Sequence, residues 1–281
     1  MSILAYLIAG MRRLVQLAQS IWLSNPHTVS RQRFTLVWAD EFDGPAGSPP
    51  DSSKWGRNIG GSGFGNHELQ SYTDRIENAF LNGQSHLVIR AIKERHTGPD
   101  GIKCEYTSAR LLTQGKFALR YGRFEARIKL PSGQGIWPAF WMMGSDIDQV
   151  GWPDCSEIDI MENKSGDDLV NNHGTLHAPG YSGAASITAT YTLPNGQKFS
   201  DDFHVFAVEW EPDVIRFYVD GHLYATRTPA DVPEKKWAFD RPCFMLLNLA
   251  VGGDWPGNPK ETSTFPQDLT VDYVRVYALE P

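Results

Sequence analysis

Strand-like alternation, with no helical period to rival it, runs from Phe34 to the end of the chain. Phe124, Ala126, Ile128 and Leu130 alternate with Arg123, Glu125, Arg127 and Lys129, the pattern of a strand with one wet face. Ile215, Phe217 and Val219 lead into Asp220-Gly221, a dipeptide that favours a tight hairpin, and Leu223 continues beyond it. Val274 and Val276 alternate with Tyr273, Arg275 and Tyr277 in a last strand. Proline and glycine interrupt every candidate helix, and no repeat or linker marks a second domain. A chain of this kind folds as an all-β sandwich of two packed antiparallel sheets. Its 281 residues are enough for one large domain of that type.

Residues 1–33 stand apart. Leu4, Leu7, Ile8, Met11, Leu14, Val15, Ala18, Ile21 and Trp22 recur at helical spacing, with Arg12, Arg13, Gln16 and Gln19 mostly off that stripe. A secretory signal places its positive charge before the apolar run, whereas Arg12-Arg13 follow Ile3–Met11. Three readings stand: a weak signal starting at Met11, an interfacial amphipathic helix, or an added helix packed on the domain. A targeting segment is favoured, and with it a secreted or periplasmic location. No apolar run reaches the roughly 20 residues that span a bilayer.

The net charge of −7 and the lack of a long basic block argue against a nucleic-acid partner. Nine Trp, ten Tyr and fourteen Phe supply many flat amphipathic rings, which suit a neutral, flat ligand such as a sugar. Most of the Phe are expected to fill the core instead. Cys104, Cys155 and Cys243 allow at most one disulfide and show no zinc-like spacing.

The anomaly in this pattern is Ser156-Glu157-Ile158-Asp159-Ile160-Met161-Glu162-Asn163, in which three acids interrupt an apolar strand. Acids are depleted from strands, and successive strand side chains point to opposite faces. Glu157 and Asp159 therefore share a face, and Glu162 would fall on the other. A one-residue bulge at Ile160-Met161 would return Glu162 to the acidic side and turn Met161 into the core. Three clustered acids can cleave a glycosidic bond by the retaining route, which needs two carboxyls about 5–5.5 Å apart. Charges at that separation repel by roughly 3 kcal/mol at an effective dielectric of 20, about two pK units. One acid can then stay protonated while the other ionises. With the bulge, the Cα atoms of Glu157 and Glu162 lie about 13 Å apart by strand rise, so the sheet must curve and the side chains converge.

Other groups could serve such a site. Trp137, Ala139 and Trp141 share one face if Gly135–Met143 is extended, either lining a cleft or filling the core. Trp152 lies in a Gly-Trp-Pro loop, where a binding role is plausible. His177 sits among small and polar residues; Asn66, Glu68 and Gln70 alternate and could face one cleft; Arg110 could bind hydroxyls or pair with an acid. A metal site built from Glu157, Asp159 and His177 is a rival, but no closely spaced ligand motif such as HExxH accompanies it. No G-x-S-x-G elbow suggests serine catalysis.

SEIDIMEN, with WADEFDG (38–44), GFGNHELQSYT (63–73), YTSARL (106–111), YGRFEARIKLP (121–131), GQGIWPAFWM (133–142), GTLH (174–177) and NLAVGG (248–253), resembles glycoside hydrolase family 16, nearest its bacterial laminarinase-like endo-β-1,3-glucanases. The resemblance runs from about Phe34 to Tyr277. It implies a β-jelly-roll sandwich of two curved antiparallel sheets with an open cleft on the concave face, within a catalytic domain over 34–281. It also implies Glu157 as nucleophile, Asp159 as assisting acid and Glu162 as general acid/base, with anomeric configuration retained. Trp137 and Trp141 would line the donor subsites, and Asn66, Arg110, Trp152 and His177 match cleft positions. A structural calcium would be held by Glu41, the Gly83 carbonyl and Asp272; no cofactor is implied for catalysis.

The expected partner is a β-glucan such as laminarin, and the expected state a monomer. A mixed-linkage β-1,3-1,4-glucanase, a transglycosylase, a galactan-directed enzyme and a non-catalytic β-glucan-binding protein are the alternatives. The presence of both Glu157 and Glu162 argues against the last. Ser156 stands where the family usually has Gly, a change expected to narrow the cleft slightly.

Overall fold

The alternation read from the sequence becomes seventeen strands among residues 34–280, the part of the chain described in this computed structural model. Residues 1–33, including the proposed targeting segment, lie outside the described residues. In chain order the first strands are β1 Phe34–Asp40, β2 Gly56–Asn58, β3 Gln70–Tyr72, β4 Ala79–Leu81, β5 Leu87–Thr97 and β6 Lys103–Ser108. They are followed by β7 Arg110–Leu112, β8 Gly122–Lys129, β9 Ile136–Gly144, β10 Glu157–Glu162, β11 Asn171–His177 and β12 Ile187–Thr192. The last are β13 His204–Glu211, β14 Val214–Val219, β15 His222–Arg227, β16 Cys243–Val251 and β17 Gln267–Leu279.

They form two sheets packed face to face. The ten-stranded sheet runs β15-β14-β13-β8-β17-β5-β6-β3, with β1 on β17 and β4 on β5. The seven-stranded sheet runs β12-β11-β10-β9-β16-β7-β2, which puts the acidic strand near its centre. This is the expected β-jelly-roll sandwich. One pair departs from the antiparallel rule, because β3 runs parallel to β6. The Asp220-Gly221 hairpin forms as read, with both residues at positive φ, 50° and 77°, as a tight two-residue turn requires.

The main core lies between the sheets. Phe124, Ala126 and Ile128 of β8 meet Ile136, Phe140 and Met142 of β9 and Ile158 of β10 there, all fully buried. The alternate residues of β9 point the other way. Ala139, Trp141 and Met143 join Leu112, Cys155, Phe244 and Leu246 in a smaller apolar cluster on the outer face of the seven-stranded sheet. That outer face carries the site. Among the described residues, no helix is long and apolar enough to cross a membrane.

Candidate active site

A one-residue irregularity in β10 decides which way its acids point. Asp159 pairs with Trp141 of β9, yet the next pair is Met161 with Phe140, so Ile160 is inserted. On the other side, Asp159 pairs with Thr175 and Glu162 with His173 of β11, across the same shift. Ile160 and Met161, adjacent in sequence, are both fully buried in the inter-sheet core. No regular strand can turn two neighbours the same way. Burying each side chain is worth about 1.5–3 kcal/mol, whereas the unbulged register would drive Glu162 into that core. The bulge expected at Ile160-Met161 is therefore present, and Glu157, Asp159 and Glu162 share the outer face.

Two of the acids accept an indole proton, and the third lies beside a histidine. The Trp152 indole N–H donates to Glu157 Oε2 at 2.9 Å, and the Trp137 indole N–H donates to Glu162 Oε1 at 3.0 Å. His177 Nε2 lies 3.2 Å from Asp159 Oδ2 and 3.9 Å from Glu157 Oε1. Its other nitrogen, Nδ1, accepts the Gly183 backbone N–H at 3.1 Å. That bond assigns the tautomer: with Nδ1 accepting, the ring proton sits on Nε2, on the side of the acids.

Burial pushes the Glu157 carboxyl up to about 8, with the Asp159 charge adding and His177 and the Trp152 N–H opposing. Burial likewise pushes Glu162 up to about 7, with the Glu157 charge adding. Asp159, only 2% exposed, is raised well above the usual range by burial and then by the Glu162 charge. Three such groups hold their protons as a set. The hydrogen bond that Asp159 and Glu157 share raises Glu157 and lowers Asp159, so it favours the proton on Glu157. The Trp152 N–H favours the Glu157 carboxylate and the Trp137 N–H the Glu162 carboxylate, each against the burial that raises it.

The aromatic side chains frame these acids. Trp137 and Trp141 both lie on the outer face, Trp141 nearly buried. Trp152 is 48% exposed and its ring centre lies 6.0 Å from that of His177. The Arg110 guanidinium lies between the rings of Phe64 (5.1 Å) and Trp141 (4.7 Å). Asn66 is half-buried, with its amide directed to Glu68 Oε1. Glu68 and Gln70 do not line the open face beside it. They are 8% and 0% exposed, behind the surface, because Gln70 Oε1 is drawn in to accept the Val251 N–H.

Ser156 also differs from expectation. It is fully buried and does not reach the cleft; its φ of 63° is left-handed, and its hydroxyl has no partner. Sequence reading missed Trp255, 37% exposed, edge-on to Trp137 at 5.4 Å and to His173 at 5.2 Å. Its Gly/Pro-flanked loop, like that of Trp152, was the available signal. Asn248, a lone amide in the apolar strand β16, was another; its Oδ1 accepts the Trp141 indole N–H at 2.7 Å.

The sequence offers two candidate metal sites. Among the described residues, Glu157, Asp159 and His177 bring ligand atoms within 4.8 Å of one another. A metal-bound imidazole normally donates from its other nitrogen, whereas His177 Nδ1 accepts from Gly183, so its inner nitrogen has no lone pair to give. The calcium set is dispersed among ion pairs. Both Glu41 oxygens take bonds from Arg275 at 2.8 Å, and Asp272 Oδ2 takes one from Arg127 at 2.6 Å. Gly83 sits in a positive-φ turn. Calcium takes six to eight oxygens, and these side chains, already matched to guanidinium groups, do not fit that role as they are placed.

Comparison with known proteins gives the context. The family model described as glycosyl hydrolases family 16 matches residues 69–275. A β-glucanase from Rhodothermus marinus is 44% identical over 255 residues, covering 86% of this chain and 84% of its own. A glucan endo-1,3-β-glucosidase A1 from Niallia circulans is 35% identical over 280 residues, covering 92% of this chain but 40% of that longer protein. The crystal structure of the laminarinase catalytic domain from Thermotoga maritima MSB8 superposes with a TM-score of 0.83 at 48% identity, covering 89% of this chain and all of that domain. With fold, motif and family model in agreement over most of its length, the chain belongs to glycosyl hydrolase family 16.

Proposed function

We propose that this protein is a retaining endo-hydrolase of internal β-1,3-glucosidic bonds in laminarin-like β-glucans. The observation that carries the reading is the bulge in β10, which sets Glu162 beside Glu157 and Asp159 on an open face lined by indoles. The relatives named as β-glucanases and endo-1,3-β-glucosidases support the substrate.

In the first step Glu157 attacks the anomeric carbon while Glu162 gives its proton to the departing glycosidic oxygen, so that the C–O bond breaks and a glycosyl ester forms. Esterification removes the Glu157 charge, and the Glu162 pKa falls with it, because that charge is one cause of its elevation. Glu162, now a carboxylate, takes a proton from water as the water oxygen attacks the anomeric carbon and expels Glu157. Two inversions retain the configuration. Asp159 orients Glu157 throughout, and no cofactor enters the chemistry.

A monomer acting outside the cytoplasm, where polymeric glucan is met, belongs to the same proposal. A panel of laminarin, mixed-linkage glucan, agarose and carrageenan tests it, with product sizes and the anomer formed first recorded. Short laminari-oligosaccharides appearing early with the β-anomer in excess are expected. Action confined to a galactan, or an α-anomer formed first, would overturn it.

A further inference from the structure

Behind the open face runs a hydrogen-bond chain that no catalytic step uses. At one end the Trp141 indole N–H, which can only donate, meets Asn248 Oδ1 at 2.7 Å. This fixes the amide: Asn248 Nδ2 must face the other way and donates to the Tyr72 hydroxyl oxygen at 3.2 Å. Tyr72 has then used its oxygen as an acceptor, and its proton goes to Glu68 Oε2 at 3.1 Å. Glu68 also accepts the Gln70 amide at 2.6 Å and the Asn66 amide at 3.3 Å. A carboxylate, which only accepts, closes one end of the chain, and an indole, which only donates, closes the other. Every group between them has one allowed orientation.

Both cleft-side ends bear on the sugar site. Trp141 pairs across the strands with Asp159 and carries the Arg110 guanidinium on its face, while Phe64, on the other side of Arg110, stacks edge-on against Tyr72 at 4.9 Å. Asn66, half-buried, has its backbone carbonyl beside Gly253, which also abuts the Trp137 ring.

We infer that Glu68 is a positioning residue for substrate binding: its buried carboxylate locks Trp141 through Tyr72 and Asn248, and locks Asn66 directly, in the orientations that receive sugar beside the catalytic acids. It touches no reacting atom and acts through these side chains. The inference deepens the glucan-hydrolase reading and rests on it.

The test is Glu68→Gln, which keeps the shape but replaces one acceptor oxygen with a donor amide, facing either the Tyr72 and Gln70 donors at the Oε2 position or the Asn66 donor at the Oε1 position. KM for laminarin is expected to rise about tenfold, the equivalent of one buried hydrogen bond, with kcat changed less than about threefold. The pH profile of kcat should not move, since the acids themselves are untouched. Tyr72→Phe breaks the chain at its centre while leaving Glu68 and the ring in place, and it serves alone if Glu68→Gln does not fold. The double variant should be no worse than the weaker-binding single one, because both interrupt one chain. A purely structural Glu68 would lower the melting temperature without that KM shift and would give additive losses. An unchanged KM in a folded variant, or a loss confined to kcat, overturns the inference. Failure of the wild type to cleave laminarin would instead sink the functional reading itself.

Discussion

Trp152 reaches from its loop to donate its indole proton to Glu157 Oε2 at 2.9 Å, across the rim of the cleft. The bond stabilises the carboxylate form of the group proposed as nucleophile. Trp152→Phe keeps a ring and removes the donor. Hydrogen bonds to charged groups are worth about 1.5–3 kcal/mol, so kcat/KM should fall about ten- to a hundredfold. The acid limb of the pH–rate profile should also move up by about one unit. A profile that keeps its acid limb would show that the indole serves sugar binding alone.

Removing the charges themselves separates the two roles. Glu157→Gln should leave no measurable cleavage of any glycoside. Glu162→Gln should lose about 10²–10⁴-fold on laminarin, the usual worth of a positioned acid. Its first step should survive on an aryl glycoside whose leaving group needs no proton, and a burst of phenol would report it. The same residual rate on both substrates would argue against Glu162 as the acid.

Stability should depend on pH in an unusual direction. Glu157 and Glu162 sit at about 8 and about 7 in the fold, far above their ordinary range near 4.5. Between those limits the native state holds more protons than the unfolded chain, so the pH slope of unfolding free energy is negative. The stabilising effect is fully present below about pH 4.5, by the unfolded value, and is lost as pH rises through 7 and 8. The contribution of this site to the melting temperature should thus fall from pH 5 to pH 8. In the Glu157→Gln, Glu162→Gln double variant the curve should flatten over that window. Parallel curves for wild type and variant would contradict the elevated protonation.

Ser156 holds a left-handed φ of 63° with a buried, unpartnered hydroxyl. Left-handed backbone costs an L-residue about 1–2 kcal/mol, and an unsatisfied buried hydroxyl costs a comparable amount. Ser156→Gly should therefore stabilise the protein by about 1–3 kcal/mol, raising the melting temperature by several degrees for a domain of this size. Differential scanning calorimetry reads this directly. A lower melting temperature would mean that the serine is held by a contact the backbone does not reveal.

The acids and their bulge were legible because the anomaly is local: three carboxyls in an apolar strand admit few arrangements, and Met161 beside Ile160 leaves one. The alternation of Trp137, Ala139 and Trp141 fixed their common face, but whether that face was cleft or core depended on which sheet covered it. Glu68 and Gln70 misled for the same reason. Period-two spacing put them with Asn66, while their burial comes from β16, whose Asn248 lies 176 residues from its Tyr72 partner. The strain at Ser156 was hidden because a serine shows its φ only in the folded chain. Glu41 and Asp272 read as calcium oxygens, yet Arg275 and Arg127 claimed them through pairings that strand register alone determines.

The Gly183 amide hydrogen on the outer nitrogen of His177 has a further consequence. Because that bond denies the inner nitrogen a free electron pair, a pocket with the makings of a chelator is kept from acting as one. With the bond in place, the two carboxyls face an N–H where a metal site would need an imidazole lone pair. A loop that released this amide would free the ring to take its other tautomer and turn a lone pair toward the acids.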